Sequence, residues 1–574
     1  MIIHLLDLVS RLHINDGRKS RKTSLQFPGY TRHLGNYQLS PLPLILSLFH
    51  MHDLAKVKLA KARITLDLDD YDRKLLARPA GGAVFVCNQL LPGLDEWILV
   101  ALLSDLFPTV KILHPYPIPP SKSLRPLVIR AQRRDIRDRF LRVNFAKKLA
   151  KSVQPGVAVG LPLDFSDNPL SNLGKNLLRQ QILKQLRKAG QPIIPIYLQT
   201  DHLPGGLLRW VIPGLPYQHT DQPVHIKVRV GDAITPETLA TFRRNGQWGK
   251  FLQAKIFSLG SPFEVRPEQF TNTKPLAAQP LAEPLDAALL AVEIAALPPE
   301  MKIATRSQFE VYVAPFVALP NVMFEIGRLR ELTFRAAGEG TGKSRDMDEY
   351  DIYYLQLIIW DREQRRIVGG YRLGQGDVVF RRFGVNGFYT NSLFKMKPAF
   401  YPVLEEAIEL GRSYVVPDYQ RHRLPLFLLW KGILHFLLAH PQYRYLYGPV
   451  SISKDYSEAS KSVIVEFIRR FFYDENFSKM VAPRKPYRPQ LKSIDTRLLV
   501  QHLQGGFDAL DHLVENIESA HFKVPVLFRQ YVKLNGRFIA FNVDPNFANC
   551  LDGLMLLDIQ DVPASVLEAL QQEK

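Results

Sequence analysis

Several groups of residues in this chain could do chemistry, and their spacing tests each one. Gly338–Ser344 reads Gly-Glu-Gly-Thr-Gly-Lys-Ser, close to a glycine-rich loop that wraps a phosphate. The full pattern needs glycine at position 337, where this chain has Ala337. It also needs a buried strand ahead of it, whereas Phe324–Arg335 reads as a charged helix, so no nucleoside-triphosphate site is expected. Glu409 and Arg412 stand in Glu-Leu-Gly-Arg-Ser-Tyr-Val, a strand-like segment. Side chains alternate across a strand, so residues three apart face opposite sides, which argues against a direct pair. Arg412 would instead bind a substrate carboxylate or pin the strand through an acid such as Asp351. Two cysteines, Cys87 and Cys550, exclude a disulfide framework and cysteine-rich zinc sites, and no metal centre is expected. They suit a reducing cytoplasm.

These residues need elements to position them. The 574 residues are 46% hydrophobic and 22% charged, which excludes wholesale disorder and predicts more than one domain. Lys and Arg number 74 against 55 acids, a formal charge of +19 that points to an anionic partner. No apolar run reaches the length of a membrane span; Trp97–Phe107 and Leu424–His440 are interrupted by Asp105 and Lys431. Residues 1–49 read as a basic arm. From 50 to 261, Gly82–Cys87, Pro192–Leu198 and His225–Val230 read as strands and Trp97–Leu106 as a helix, predicting a partly parallel sheet. Within this stretch Lys111–Lys151 carries twelve cations against Asp135 and Asp138. Arg130, Arg133, Arg134, Arg137 and Arg139 share a helix-like run with Ile129, Ile136, Phe140 and Val143, a pattern suited to an anionic membrane surface or to a solvated face. No helix-turn-helix, zinc finger or aromatic RNA-binding signature is visible, so nucleic acid is not expected. Residues 262–302, rich in Pro and Ala, read as a linker. From 303 to 574 the order is helix at Phe324–Arg335, hairpin at Tyr353–Leu373, strand at Glu409–Val416, helix at Leu424–His440, strand at Tyr443–Ile452 and helix at Ser457–Phe472. Residues 474–493 read as a basic loop. The fold class is α/β, with two α/β domains.

The segment from Arg328 to Tyr456 resembles the GNAT-fold N-acyltransferases of amino-acid-containing lipids, the ornithine-lipid synthase type, which are similar in pattern to acyl-homoserine-lactone synthases. The matching pieces are RLRELTFRAAGEGTG, DEYDIYYLQLIIWD, IVGGYRLG, ELGRSYVVPDY, LLWKGI and YRYLYGPVSIS, in that order. The tail pieces VPVLFRQYVKL, FNVDPNF and LDGL resemble the same family. The resemblance implies transfer of a 3-hydroxyacyl group from acyl carrier protein to the α-amine of an amino acid, with no cofactor beyond the donor's phosphopantetheine thioester. An ammonium must lose a proton before it attacks a thioester, which calls for a positioned carboxylate or a carboxylate-bound water. Glu409 is the expected base or amine-positioning group. Arg330, Asp351, Arg372 and Arg412 are the other matched site positions, with Phe334 and Asp348; a scaffold ion-pair network is the competing reading of Arg330 and Asp351. The pyrophosphate loop common in GNAT proteins is missing after the strand, where PDYQRHRLPL has no glycine. Tyr419, Arg421 and Arg423, with Phe334, are expected to meet the donor, the arginines through its one phosphodiester or the acidic carrier protein itself. His422 is read as an ordinary loop histidine. No residue names the amino acid, which could be ornithine, glycine, lysine or glutamine.

The N-terminal half resembles the glycerol-phosphate and lysophospholipid acyltransferases, whose motif runs roughly N-H-P-x-G-G-L-D. Here Asn88, Gly93, Leu94 and Asp95 hold their places, but the histidine position is Gln89. An amide cannot accept and return a proton near neutral pH. The later phosphate-binding block should fall at Val159–Asn168, where only Pro162 survives. The expectation is a degenerate domain that binds lipid or docks the enzyme, peripherally, on the cytoplasmic face of an anionic inner membrane. Retained O-acylation through Asp95 and a displaced base, or a non-catalytic lipid- and carrier-protein-binding scaffold, are the alternatives.

Overall fold

In the computed structural model, residues 54–572 are described apart from 80–81, 92, 115–123, 125–126, 131–150, 153, 155, 166–172, 201–222, 264–277, 423, 490, 492, 504–505 and 546. The N-terminal arm, most of the arginine-rich run and Arg423 lie outside them. Seven strands make the first sheet: β1 (Ile64–Asp67), β2 (Ala83–Asn88), β3 (Thr109–His114), β4 (Val128–Arg130), β5 (Val157–Leu163), β6 (Ile193–Gln199) and β7 (Val224–Val230). Their order is β1-β7-β6-β2-β5-β3-β4, and only β6 against β7 is antiparallel. Every residue of β2 is buried, as a central parallel strand covered on both faces requires. Helices α1 (Leu94–Leu103) and α2 (Asn245–Ser258) pack on this sheet.

The second sheet follows α3 (Ala287–Ala295) and comprises β8 (Lys302–Arg306), β9 (Phe309–Pro315), β10 (Leu355–Asp361), β11 (Arg366–Gln375), β13 (Ala407–Val415), β14 (Tyr445–Ile452), β16 (Arg537–Asp544) and β17 (Cys550–Asp558). The order is β16-β17-β14-β13-β11-β10-β9-β8, and β12 (Phe394–Met396) pairs separately with β15 (Val481–Pro483). Helix α4 (Val322–Ala336) packs on β13, α5 (Leu424–Ala439) covers β8 to β11, and α6 (Glu458–Phe471) contacts β16. The protein is thus mixed α/β, with sheets flanked by helices. Among the described residues no helix is long and apolar enough to cross a membrane.

Two expectations need correction. Residues 474–493 are not simply a loop: they hold a short helix at Glu475–Ser478 and β15. A three-residue strand is too short to show periodicity. The described end of the expected linker is also structured. Gln279 and Ala282 donate backbone N–H bonds to Gly342 and Ser344 carbonyls, and Leu290 and Ile294 of α3 are buried beside α4. The Ala-rich composition that looks like a spacer is equally a good helix former.

The two sheets share one unit, residues 51–574. Buried Val84, Trp248, Val311, Leu428 and Phe467 belong to one continuous apolar core. A polar clasp adds to it. Arg229 of β7 pairs with Asp72 at 2.9 Å and donates to the carbonyls of Asn516, Ile517 and Glu518, at the C-terminus of helix Gly506–Ile517. A cation there meets unpaired carbonyls and the negative end of the helix dipole.

Candidate active site

Strands β13 and β14 are parallel neighbours for only three positions, Ala407↔Tyr445, Ile408↔Leu446 and Glu409↔Tyr447. Gly448 still sits tight against β13: a Cβ there would lie 2.1 Å from the Leu410 carbonyl oxygen. Beyond that point a cavity of about 220 Å³ opens, with Gly411, Arg412 and Ser413 on one side and Pro449, Val450 and Ser451 on the other. Phe334 of α4, Tyr389, Glu339, Asp544, Phe547 and Asp552 complete its polar and aromatic wall.

A bulge shapes the β13 side. Arg372 pairs with Gly411 and Gly370 with Tyr414, so β13 carries one extra residue. Arg412 sits in it with a left-handed backbone, φ 50°. That conformation turns its guanidinium to Asp346 at 2.8 Å and Asp348 at 3.2 Å, rather than to Asp351, and under the rings of Tyr389 and Phe547. Arg372 meets Asp348 at 2.5 Å and Asp351 at 3.4 Å. Arg330 meets Asp351 at 2.8 Å and the Gln356 amide oxygen at 2.7 Å. The result is an alternating chain, Arg330–Asp351–Arg372–Asp348–Arg412–Asp346. Burial pushes the Asp351 carboxyl up, but the Arg330 and Arg372 guanidiniums outweigh it and hold it well below the usual carboxylate range.

Glu409 lies inside the protein beside this chain, not among the residues lining the cavity. It is 1% exposed, and its two oxygens accept the Tyr354 hydroxyl and, at 2.7 Å, the Thr390 backbone N–H. Burial raises its pKa against those two donors and Arg372. Of the residues expected to meet the donor, Phe334 lines the cavity and packs edge-on against Phe547, ring centroids 5.3 Å apart. Tyr419 sits elsewhere: its hydroxyl donates to Asp361 at 2.7 Å and Arg366 covers its ring. Arg421 is exposed just ahead of α5.

The cavity wall holds acids that sequence reasoning passed over. Asp552 of β17 lies directly opposite Ser451 of β14, whose hydroxyl donates to it at 2.7 Å. Burial pushes the Asp552 carboxyl up to about 8, with Asp544 and Glu339 adding to the rise and Ser451 and Arg412 opposing it. Burial also pushes Glu339 up to about 7, helped by Asp455. Among the described residues three carboxylates therefore face the cavity, and the guanidinium of Arg412 on its wall is already engaged by Asp346 and Asp348. The signal was present in FNVDPNF and LDGL, which contain Asp544 and Asp552. Glu339 belongs to the phosphate-loop look-alike. In that loop Thr341 and Gly342 donate backbone N–H bonds, at 3.1 and 2.8 Å, to buried Glu331. A carboxylate of the protein itself thus occupies the place a phosphate would take.

In the first module, Asn88 exchanges bonds of 2.9 and 2.7 Å with the Leu198 backbone. Asp95 is buried and accepts the Leu90 and Leu91 N–H groups, so it braces the loop carrying Gln89. Buried His114 places Nδ1 2.7 Å from Glu96. Among the described residues no group of three or more His, Cys, Asp or Glu could hold a metal ion.

Residues 329–430 match the acetyltransferase (GNAT) domain family. A glycine N(alpha)-acyltransferase of Phocaeicola vulgatus is 31% identical over 260 residues, 43% of this chain and 78% of the relative. Another, of Bacteroides thetaiotaomicron, is 34% identical over 260 residues, 43% of this chain and 76% of the relative. Among solved structures, a CoA-dependent acyl-homoserine lactone synthase with SAM and isopentyl-CoA is 13% identical, with a TM-score of 0.25, over 46% of this chain and 87% of that one. Matching roughly three quarters of each curated relative at these identities, the chain belongs to their family and is a GNAT-type N-acyltransferase.

Proposed function

We propose that the enzyme makes an aminolipid precursor, moving a 3-hydroxyacyl group from the phosphopantetheine thioester of acyl carrier protein to the α-amine of a small amino acid, glycine foremost. The acid-walled cavity between β13 and β14 carries this reading. An amino acid arrives as an ammonium, which Glu339, Asp544 and Asp552 attract, while Phe334, Val450 and Phe547 offer an apolar wall to the acyl donor. The nitrogen then attacks the thioester carbonyl carbon and the thiol leaves. Glycine is favoured because both curated relatives carry that name. Acyl carrier protein is favoured over coenzyme A by the +19 charge, which complements an acidic partner, and by the glycine-free stretch Pro417–Leu426 that follows β13.

The first module is read as a former glycerol-phosphate-type O-acyltransferase that serves as a lipid platform on an anionic membrane, because Gln89 cannot act as a base. One observation favours retained O-acyl transfer instead: buried His114 places Nδ1 2.7 Å from Glu96, the residue that follows Asp95.

The test uses the purified full chain with 3-hydroxyacyl carrier protein or the matching coenzyme A thioester, each with glycine, ornithine, lysine or glutamine, and product mass spectrometry. N-acylglycine formed faster from the carrier protein supports the reading. Faster reaction with coenzyme A overturns the donor, and preference for ornithine overturns the acceptor. A diacylated product from added lyso-lipid and a second thioester would show that the first module still transfers acyl groups.

A further inference from the structure

The geometry points to Asp552, held by Ser451, as the group that takes the proton from the attacking amine. This assignment rests on the amine-acylation reading above. Ser451, Asp552 and Asn542 are cross-strand neighbours on β14, β17 and β16, so they share one face of the sheet. That face carries the cavity, and Asp544, two residues beyond Asn542, shares it. Asp552 is 2% exposed yet lines the cavity, so its carboxylate meets the bound substrate rather than bulk water. Ser451 fixes one oxygen, Oδ1, at 2.7 Å. Glu409 differs on both points: it does not line the cavity, and each of its oxygens already accepts a protein donor.

Acylation of an ammonium sheds two protons. Asp552 takes the first, which frees the nitrogen lone pair, and gives it up to water that enters the cavity once the product has left. The nitrogen bonds the thioester carbon, and the second proton leaves the tetrahedral adduct as the C–S bond breaks, ending on the departing thiolate. One amide bond forms, one thioester bond breaks and one proton is released. Among the described residues, the charged and polar groups facing Asp552 are Ser451 of β14, Asn542 and Asp544 of β16, Glu339 after α4, Arg412 of β13, the Tyr389 hydroxyl on the cavity wall and Cys550 of its own strand. Their balance leaves a carboxyl near 8, and a base works best with a pKa near the working pH.

The experiment is a pH profile of kcat/KM with glycine for the wild type and four variants. Asp552→Asn should lower kcat about 10²–10⁴-fold, the usual worth of a positioned base, with the donor KM unchanged, and Asp552→Glu should restore part of it. Ser451→Ala removes a bond that lowers the pKa, so the acid limb should move to higher pH. Glu339→Gln removes a neighbouring negative charge, so the limb should move to lower pH. Glycine's own titration cannot shift between variants, which separates its limb from that of Asp552. Near-wild-type rates for Asp552→Asn, or a limb unmoved in both Ser451→Ala and Glu339→Gln, overturn the assignment. A wild type that acylates a different amine leaves the assignment standing, tested on that amine. A wild type that acylates none overturns the parent reading and this one together.

Discussion

Two charged regions adjoin in the second module, and they differ in how completely charge is matched. In the floor, three arginines alternate with three aspartates, and Glu409 beside them has both oxygens bonded. In the cavity, among the described residues, Glu339 and Asp552 have one guanidinium near them, that of Arg412, and Asp346 and Asp348 already engage it. The consequence appears in the acids themselves: Asp351 is held below the usual carboxylate range, while Asp552 is pushed to about 8 and Glu339 to about 7. A matched network resists change and fixes geometry. An under-neutralised one takes up and releases protons near neutral pH, which is what acylating an amine requires. Charge density alone does not mark the reactive place; its imbalance does.

The sharpest test of the floor is Arg372→Met. Asp348 keeps Arg412 and Asp351 keeps Arg330, but the buried chain is left one positive charge short, so denaturant unfolding should show a loss of about 3–5 kcal/mol. A variant as stable as the wild type would break the comparison, because the network would then not be structural. The pH dependence comes next. Asp351 has a folded pKa below its unfolded value, so its contribution is present above the unfolded value, about 4, and is lost as pH falls further. Thermal melts should therefore show a falling midpoint below about pH 4, and Asp351→Asn should flatten that slope.

Glu409→Gln separates the two regions by activity. Its side chain keeps its shape and one acceptor, so unfolding stability should drop by about 1 kcal/mol and kcat by less than about tenfold. A loss as deep as that of Asp552→Asn would return the proton-accepting role to Glu409. The smallest effect expected is for Tyr419→Phe, which removes one hydrogen bond to Asp361 and should cost about 0.5–1.5 kcal/mol with the donor KM unchanged. A several-fold rise in that KM would place Tyr419 at the donor after all.

Legibility in the sequence followed length and periodicity. The helices Val322–Ala336 and Leu424–Ala439, the hairpin β10–β11 and strand β14 could be read because each repeats its pattern over several residues. β12 and β15 could not, being three residues each. The bulge at Arg412 also left no trace, since a single left-handed residue is invisible in a strand-like run. Asp552 was hidden for another reason. Its strand, β17, is buried on both faces, so no alternation set the aspartate apart from its neighbours.

The sequence by itself determined the α/β class, the failed phosphate loop and the GNAT pattern from Arg328 to Tyr456. Those are local properties, written in residue types and their spacing. Only the tertiary structure decided which acids are matched and which are not, because matching joins residues as distant as Asp346 and Arg412, or Ser451 and Asp552. A pKa depends on burial and on what stands a few ångströms away, and neither distance nor burial exists until the chain has folded.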